Sequence, residues 1–191
     1  MRDVGRILLP MVTPFKSNGD VDYEKAHTYA KWLIRHRRGD SNIVSGTTGE
    51  FPSLTFAERV QLLETVWDAV GRTTPVIAGT GCASTRETIE LTRHAARIGV
   101  DMAMVVGPYY AKPSQEGILE HYRAVAKSTS LPILLYNIPL FTGVNIEPES
   151  LQKLTKIANI VGIKEESGLN PIQTTRYLLS VPKGFKVYVG D

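Results

Sequence analysis

Short apolar runs alternate with amphipathic stretches along the whole chain. Ile7–Val12, Ser41–Ser45, Pro75–Gly79, Asp101–Val106, Pro132–Tyr136, Asn159–Lys164 and Lys186–Gly190 are brief, rich in aliphatic residues and bounded by Gly, Pro, Asn or Asp. Such runs predict strands covered on both faces. Between them the apolar positions recur at helical spacing. Asp22 caps a helix with Ala26, Tyr29, Ala30, Leu33 and Ile34 on one face, and Gly39 stops it. Thr55-x-x-Glu58 and Ser84-x-x-Glu87 are capping boxes. The first opens a helix through Val60, Leu63 and Val66; the second opens one that ends at Gly99. Ser114 starts a helix through Ile118, Tyr122 and Val125, Pro148 stands in the first turn of the next, and Asn170-Pro171 caps the last.

The strand centres recur at steps of roughly 30 residues, the length of one strand–helix unit. Strict alternation predicts a parallel sheet with right-handed crossovers. An open doubly wound sheet and a barrel both satisfy it. The glycine fingerprint of a dinucleotide fold does not follow the first strand. Polar residues instead close strand after strand: Thr47, Tyr110, Tyr136 and Lys164. That pattern favours an α/β fold of the (β/α)8 TIM-barrel type, whose sites gather where the strands end. Such a barrel takes about 250 residues, whereas this chain of 191 stops at the seventh strand. The expectation is one barrel domain over 1–191, with strand eight and the helices after it missing.

Composition narrows the function. The net charge of +3 is small and evenly spread, which argues against a nucleic-acid partner. The densest basic run, Arg35-His36-Arg37-Arg38, closes a helix, where cations suit the dipole. The single cysteine, Cys82, excludes an internal disulfide and fits a reducing compartment. Without CxxC or HExxH spacing, neither a metal nor another cofactor is expected. Ile7–Leu9 is too short for an export signal, and nothing approaches the roughly 20 apolar residues of a membrane span. A cytoplasmic protein is the expectation.

The chemistry centres on Lys164, at the end of the run Ile160-Val161-Gly162-Ile163. Gly162 permits a close approach. An amine held against apolar walls loses the hydration of its charge and gives up its proton more readily. A neutral amine attacks a ketone to form an imine. Gly46-Thr47-Thr48-Gly49-Glu50 offers two hydroxyls and closely approachable backbone, suited either to a small carboxylate or to a solvated turn. Tyr136, ahead of Asn137-Ile138-Pro139, is either a proton shuttle or a packed aromatic. Of Tyr109 and Tyr110, one serves the site and the other packs. His27, His36, His94 and His121 fall on helices and read as surface or packing residues.

Four motifs occur together and in order: Gly46-Thr47-Thr48-Gly49-Glu50; Pro108-Tyr109-Tyr110 with Lys112-Pro113-Ser114-Gln115-Glu116-Gly117; Tyr136-Asn137-Ile138-Pro139-x-x-Thr142-Gly143; and Gly162-Ile163-Lys164-Glu165. Together they resemble the dihydrodipicolinate synthase / N-acetylneuraminate lyase family of class I, pyruvate-handling barrels. The resemblance runs through the whole chain and covers about two-thirds of a typical member's length. It implies that Lys164 forms an imine with pyruvate and that Tyr136 relays protons there. Thr47 would link Tyr136 to Tyr110, a second tyrosine that the synthases borrow from a neighbouring subunit. Thr48, with the backbone of Gly46 and Gly49, would hold the pyruvate carboxylate. The partners implied are pyruvate and a small aldehyde in a homo-oligomer, dimer or tetramer, with neither nucleic acid nor membrane. One departure stands out. Where the synthases carry an arginine for the aldehyde's carboxylate, this chain has Phe141, and an apolar ring cannot replace a bidentate cation. Three readings follow: a 4-hydroxy-tetrahydrodipicolinate synthase of lysine biosynthesis using aspartate semialdehyde, a 2-keto-3-deoxy sugar-acid aldolase, or a non-catalytic or truncated relative.

Overall fold

In the computed structural model, which describes residues 2–168 and 171–190, the apolar runs become strands and the amphipathic stretches helices. The strands are β1 (Leu8–Pro10), β2 (Ser41–Val44), β3 (Val76–Gly79), β4 (Met102–Val106), β5 (Ile133–Asn137), β6 (Ile160–Glu165) and β7 (Lys186–Val189). The helices are α1 (Tyr23–Arg35), α2 (Phe56–Val70), α3 (Thr85–Ile98), α4 (Gln115–Lys127), α5 (Pro139–Thr142), α6 (Pro148–Leu154) and α7 (Pro171–Ser180). The strands β2 to β5 are buried throughout, as the apolar runs of β3 and β4 require, and β2 carries Ser41 and Asn42 into the core with Ile43 and Val44.

Two expectations are corrected. First, α1 ends at Arg35, well before Gly39. The chain turns instead on Arg37, at φ +50, whose amide donates to Ile34 O. Second, β6 does not end on Lys164 but continues through Glu165, which is buried. A short helix, α5, follows β5; Pro139 at its first position and Gly143 at φ +72 bracket one turn. Asn170, expected as a cap, lies outside the described residues.

Two compact units make up the chain: Met1–Thr80 with His94–Ala103, and Gly81–Arg93 with Met104–Asp191. In the first, β1, β2 and β3 lie side by side and parallel. The helix α1 buries Ala26, Ala30 and Leu33, and α2 buries Leu62, Leu63, Val66 and Val70. Asp22 and Thr55 cap these helices as expected. In the second unit the order is β4-β5-β6-β7, with β5, β6 and β7 parallel. The α4 helix lays Ile118, Leu119, Tyr122 and Val125 into the core.

The register of the second unit sets which side chains meet. Tyr136 on β5 is level with Lys164 on β6, and Asn137 with Glu165. On β7, Tyr188 is level with Lys164. Because successive side chains take opposite faces of a strand, Tyr136 and Lys164 share one face and Asn137 and Glu165 the other. Gly162 makes this pairing possible: a methyl there would lie 2.8 Å from Lys186 O and 3.1 Å from Leu134 Cδ1.

Candidate active site

Lys164 is 9% exposed. Its ammonium lies 4.3 Å from the Tyr136 ring centroid, over the face of the ring. Its Nζ is 2.6 Å from Glu166 Oε1. The Tyr136 hydroxyl donates to the other oxygen, Glu166 Oε2. One carboxylate thus bridges the amine and the phenol, and all three groups sit on the same side of the sheet. The amine is therefore not surrounded by apolar walls alone, as the sequence suggests. It is withdrawn from water and meets a carboxylate that offsets the lost hydration.

The opposite face of β6 is closed by a polar network. Glu165, 1% exposed, accepts from Asn137 Nδ2 at 2.9 Å and from Ser167 N at 2.7 Å. Gln173 Nε2 approaches both its oxygens at 3.3 Å. Asn137 Oδ1 accepts from Ile146 N at 2.9 Å, and Tyr177 donates to Ile146 O. Burial, with Glu165 and Glu147 nearby, pushes the Tyr177 phenol well above its ordinary range, so it serves as a donor throughout. These bonds tie β5, β6 and α7 together directly behind the lysine and fix its exit angle.

The threonine loop belongs to the first unit. Thr47–Gly49 forms a single 3-10 turn, entered through Ser45 at φ +61 and left through Glu50 at φ +54. Gly49 N donates to Gly46 O at 3.0 Å. Thr13 Oγ1 donates to Gly49 O at 2.6 Å, and a methyl at Gly49 would come within 3.1 Å of Met11 O. Gly46 and Gly49 are buried, Thr47 is half-buried and Thr48 is exposed. The backbone of the loop is thus held from behind, while Thr48 and Glu50 are exposed. Arg59, 6% exposed, holds it from α2: Nε donates to Ser45 Oγ at 3.2 Å and Nη2 to Gly79 O at 2.9 Å. Its guanidinium also lies over the Phe51 ring at 4.9 Å.

Tyr110 is 94% exposed and held at φ +71. Phe141 is 65% exposed on α5. Among the described residues no group of three His, Cys, Asp or Glu side chains is placed to hold a metal ion. No described helix is long and apolar enough to cross a membrane.

A family model, that of the dihydrodipicolinate synthetase family, matches residues 3–191. The chain belongs to this family. The 4-hydroxy-tetrahydrodipicolinate synthase of Synechococcus sp. (strain JA-2-3B'a(2-13)) is 46% identical over 187 residues, which cover 98% of this chain and 60% of that protein. Among solved structures, the dihydrodipicolinate synthase of Bacillus anthracis superposes with a TM-score of 0.94 at 43% identity, over 100% of this chain and 65% of that one. The chloride-inhibited dihydrodipicolinate synthase of Acinetobacter baumannii complexed with pyruvate gives 0.93 at 38% identity, over 99% and 64%. The chain thus spans under two-thirds of these relatives' length. The (β/α)8-barrel class expected from the strand spacing is the fold class of the dihydrodipicolinate synthetase family and of this chain.

Two residues of this family member escape sequence reasoning. Arg59 looks like an ordinary helix-surface arginine, and nothing in the pattern marks it. Glu166 does leave a signal: it stands two residues after Lys164, the spacing that returns a side chain to the same face of an extended segment. Ending the strand at the lysine hides it.

Proposed function

We propose that this chain carries the pyruvate-capturing centre of a class I lyase, with Lys164 as the imine-forming residue. The observation that carries the reading is the placement of a nearly buried lysine amine against a tyrosine ring at the paired position of the next strand. An amine in that setting attacks the ketone carbon of a 2-oxo acid, and a phenol beside it moves protons on and off the intermediate oxygen. The imine then acts as an electron sink. Loss of a proton from the pyruvate methyl gives an enamine, whose carbon attacks an aldehyde. Thr48 and the backbone of Gly46 and Gly49 hold the pyruvate carboxylate, and Thr47 with Tyr110 extends the proton path from Tyr136. The exposure of Tyr110 in the single chain suits a residue lent to a neighbouring copy, and a homo-oligomer in the cytoplasm is part of the same reading.

The aldehyde we assign is aspartate semialdehyde, making 4-hydroxy-tetrahydrodipicolinate. The names of the relatives support it. A second reading, cleavage of a 2-keto-3-deoxy sugar acid, is favoured by Phe141, which offers an aldehyde carboxylate no cation. Incubation with labelled pyruvate and borohydride is expected to attach one pyruvate per chain, on Lys164, and Lys164→Arg is expected to abolish both labelling and turnover. A protein that takes no label would favour the non-catalytic reading. Assaying pyruvate with each aldehyde separates the other two.

A further inference from the structure

An amine attacks a carbonyl only after losing its proton, and the imine forms only when the carbonyl oxygen leaves as water. Both steps need a proton carrier within reach of Nζ. Glu166 is within reach. Its Oε1 lies 2.6 Å from Lys164 Nζ, and its Oε2 accepts from the Tyr136 hydroxyl. The carboxylate is itself largely withdrawn from water, with 15% of its side chain exposed. Its place is also reserved by the backbone: Gly190 passes so close that a methyl there would overlap the Glu166 carboxylate.

Resting on the reading of Lys164 as the imine-forming residue, we propose that Glu166 is a catalytic base of this site. It takes a proton from Lys164 Nζ and returns it, through Tyr136, to the oxygen that leaves pyruvate. The balance closes. The ammonium starts with three protons. One passes to Glu166, and the neutral amine adds to C2 of pyruvate, giving a carbinolamine. The Glu166 proton moves through the phenol to the carbinolamine oxygen. A second nitrogen proton follows the same path, the C–O bond breaks and water leaves. The third proton remains on the iminium nitrogen. Glu166 and Tyr136 end as they began.

Among the described residues, Lys164 is faced by Glu166 on its own segment, Tyr136 on β5 and Tyr188 at the paired position of β7. Glu166 alone among these three is a carboxylate. A carboxylate that acted only as an ion-pair partner would favour the charged amine, so its removal would leave trapping near neutral pH unslowed or faster. Loss of a proton acceptor does the reverse: trapping slows, and raising the pH restores it because hydroxide does the same work.

The test is rapid-quench borohydride trapping of pyruvate on the protein, comparing wild type, Glu166→Gln, Glu166→Asp and Gly190→Ala. The Gln variant keeps the size and a hydrogen-bond partner but accepts no proton. It is expected to trap pyruvate about 10²–10⁴-fold more slowly near neutral pH, with an unchanged concentration for half-saturation. Its deficit should shrink steadily as the pH is raised, while Asp recovers part of the rate. Gly190→Ala keeps the carboxylate but displaces it, and should slow trapping in the same pH-dependent way. A Glu166→Gln protein that traps at the wild-type rate, or one slowed equally at every pH, overturns the proposal. Wild-type protein that acquires no label on Lys164 overturns the imine reading itself and this proposal with it, so the two failures are told apart by the wild-type lane.

Discussion

At Lys164 the surroundings matter more than the residue type. A lysine closing a core strand is most often just a cation reaching for water. Here water is largely excluded, a ring face lies 4.3 Å away and a carboxylate 2.6 Å away. Tyr136 shares that setting, and its hydroxyl bridges to Glu166. Tyr136→Phe leaves the ring that packs against the amine and removes the hydroxyl, with its bond to Glu166 and the proton path. Turnover should fall about 10²–10⁴-fold, the usual worth of a positioned proton carrier, with little change in folding stability. Steady-state kinetics beside a denaturant titration would check this, and an unchanged rate would take Tyr136 out of the chemistry. At this scale the sequence is legible where residue type and strand position coincide, as for Lys164 and Tyr136. It is silent where a side chain reaches across from a neighbouring element. Arg59 crosses from α2 to Ser45 and Gly79, more than a dozen residues away along the chain, and no local pattern encodes such a reach.

Among the elements, the helix starts are the best written. Thr55 accepts from Glu58 N while the Glu58 carboxylate accepts from Thr55 N at 2.8 Å, so α2 opens as its spelling demands. The Thr55 N–H, and after it the Thr55 hydroxyl, donate to the Glu58 carboxylate and lower it from its ordinary value. Thr55→Ala should cost about 1 kcal/mol of stability, read as a lower urea midpoint with unchanged slope. Ser84 opens α3 more loosely, its hydroxyl 3.4 Å from Glu87 N. Helix ends are written less clearly. Gly99, at φ +95, ends α3 as the sequence implies. But α1 gives out at Arg35 because Arg37 adopts the left-handed conformation itself, a cost that glycine would have avoided. The extra residue of β6 was equally hidden. Glu165 is acidic and reads as loop, yet it pairs with β5 and β7, and donors on β5 and α7 receive its buried carboxylate.

For the molecule as a whole, the recurrence of strand and helix was the strongest signal in the sequence, because each unit must repeat the same crossover to remain in a parallel sheet. Composition excluded much and specified little. One buried group sets a global property that composition conceals. His121 is 3% exposed on α4, its Nδ1 2.9 Å from Thr85 Oγ1, and its Nε2 has no partner among the described residues. Burial pushes it down from 6.5 to about 4. The unfolded chain therefore binds a proton at this position before the folded chain does. Stability from this group is intact above pH 6.5 and is lost as the pH falls towards 4, by about 3 kcal/mol in all. Comparing wild type with His121→Leu by denaturant titration across that range isolates the effect: the leucine variant should lose less stability on acidification. Parallel curves would show that the imidazole is not excluded from water as placed.

The two-faced strand β6 has one more consequence. Its odd and even positions face unlike neighbours, a carboxylate bridge on one side and a web of amide donors on the other. A slip of one residue would swap them, setting a cation among donors and stranding Glu165 opposite a phenol. Misthreaded chains are thus penalised at the candidate site itself, so assembly of this sheet is proofread by the polar side chains gathered there.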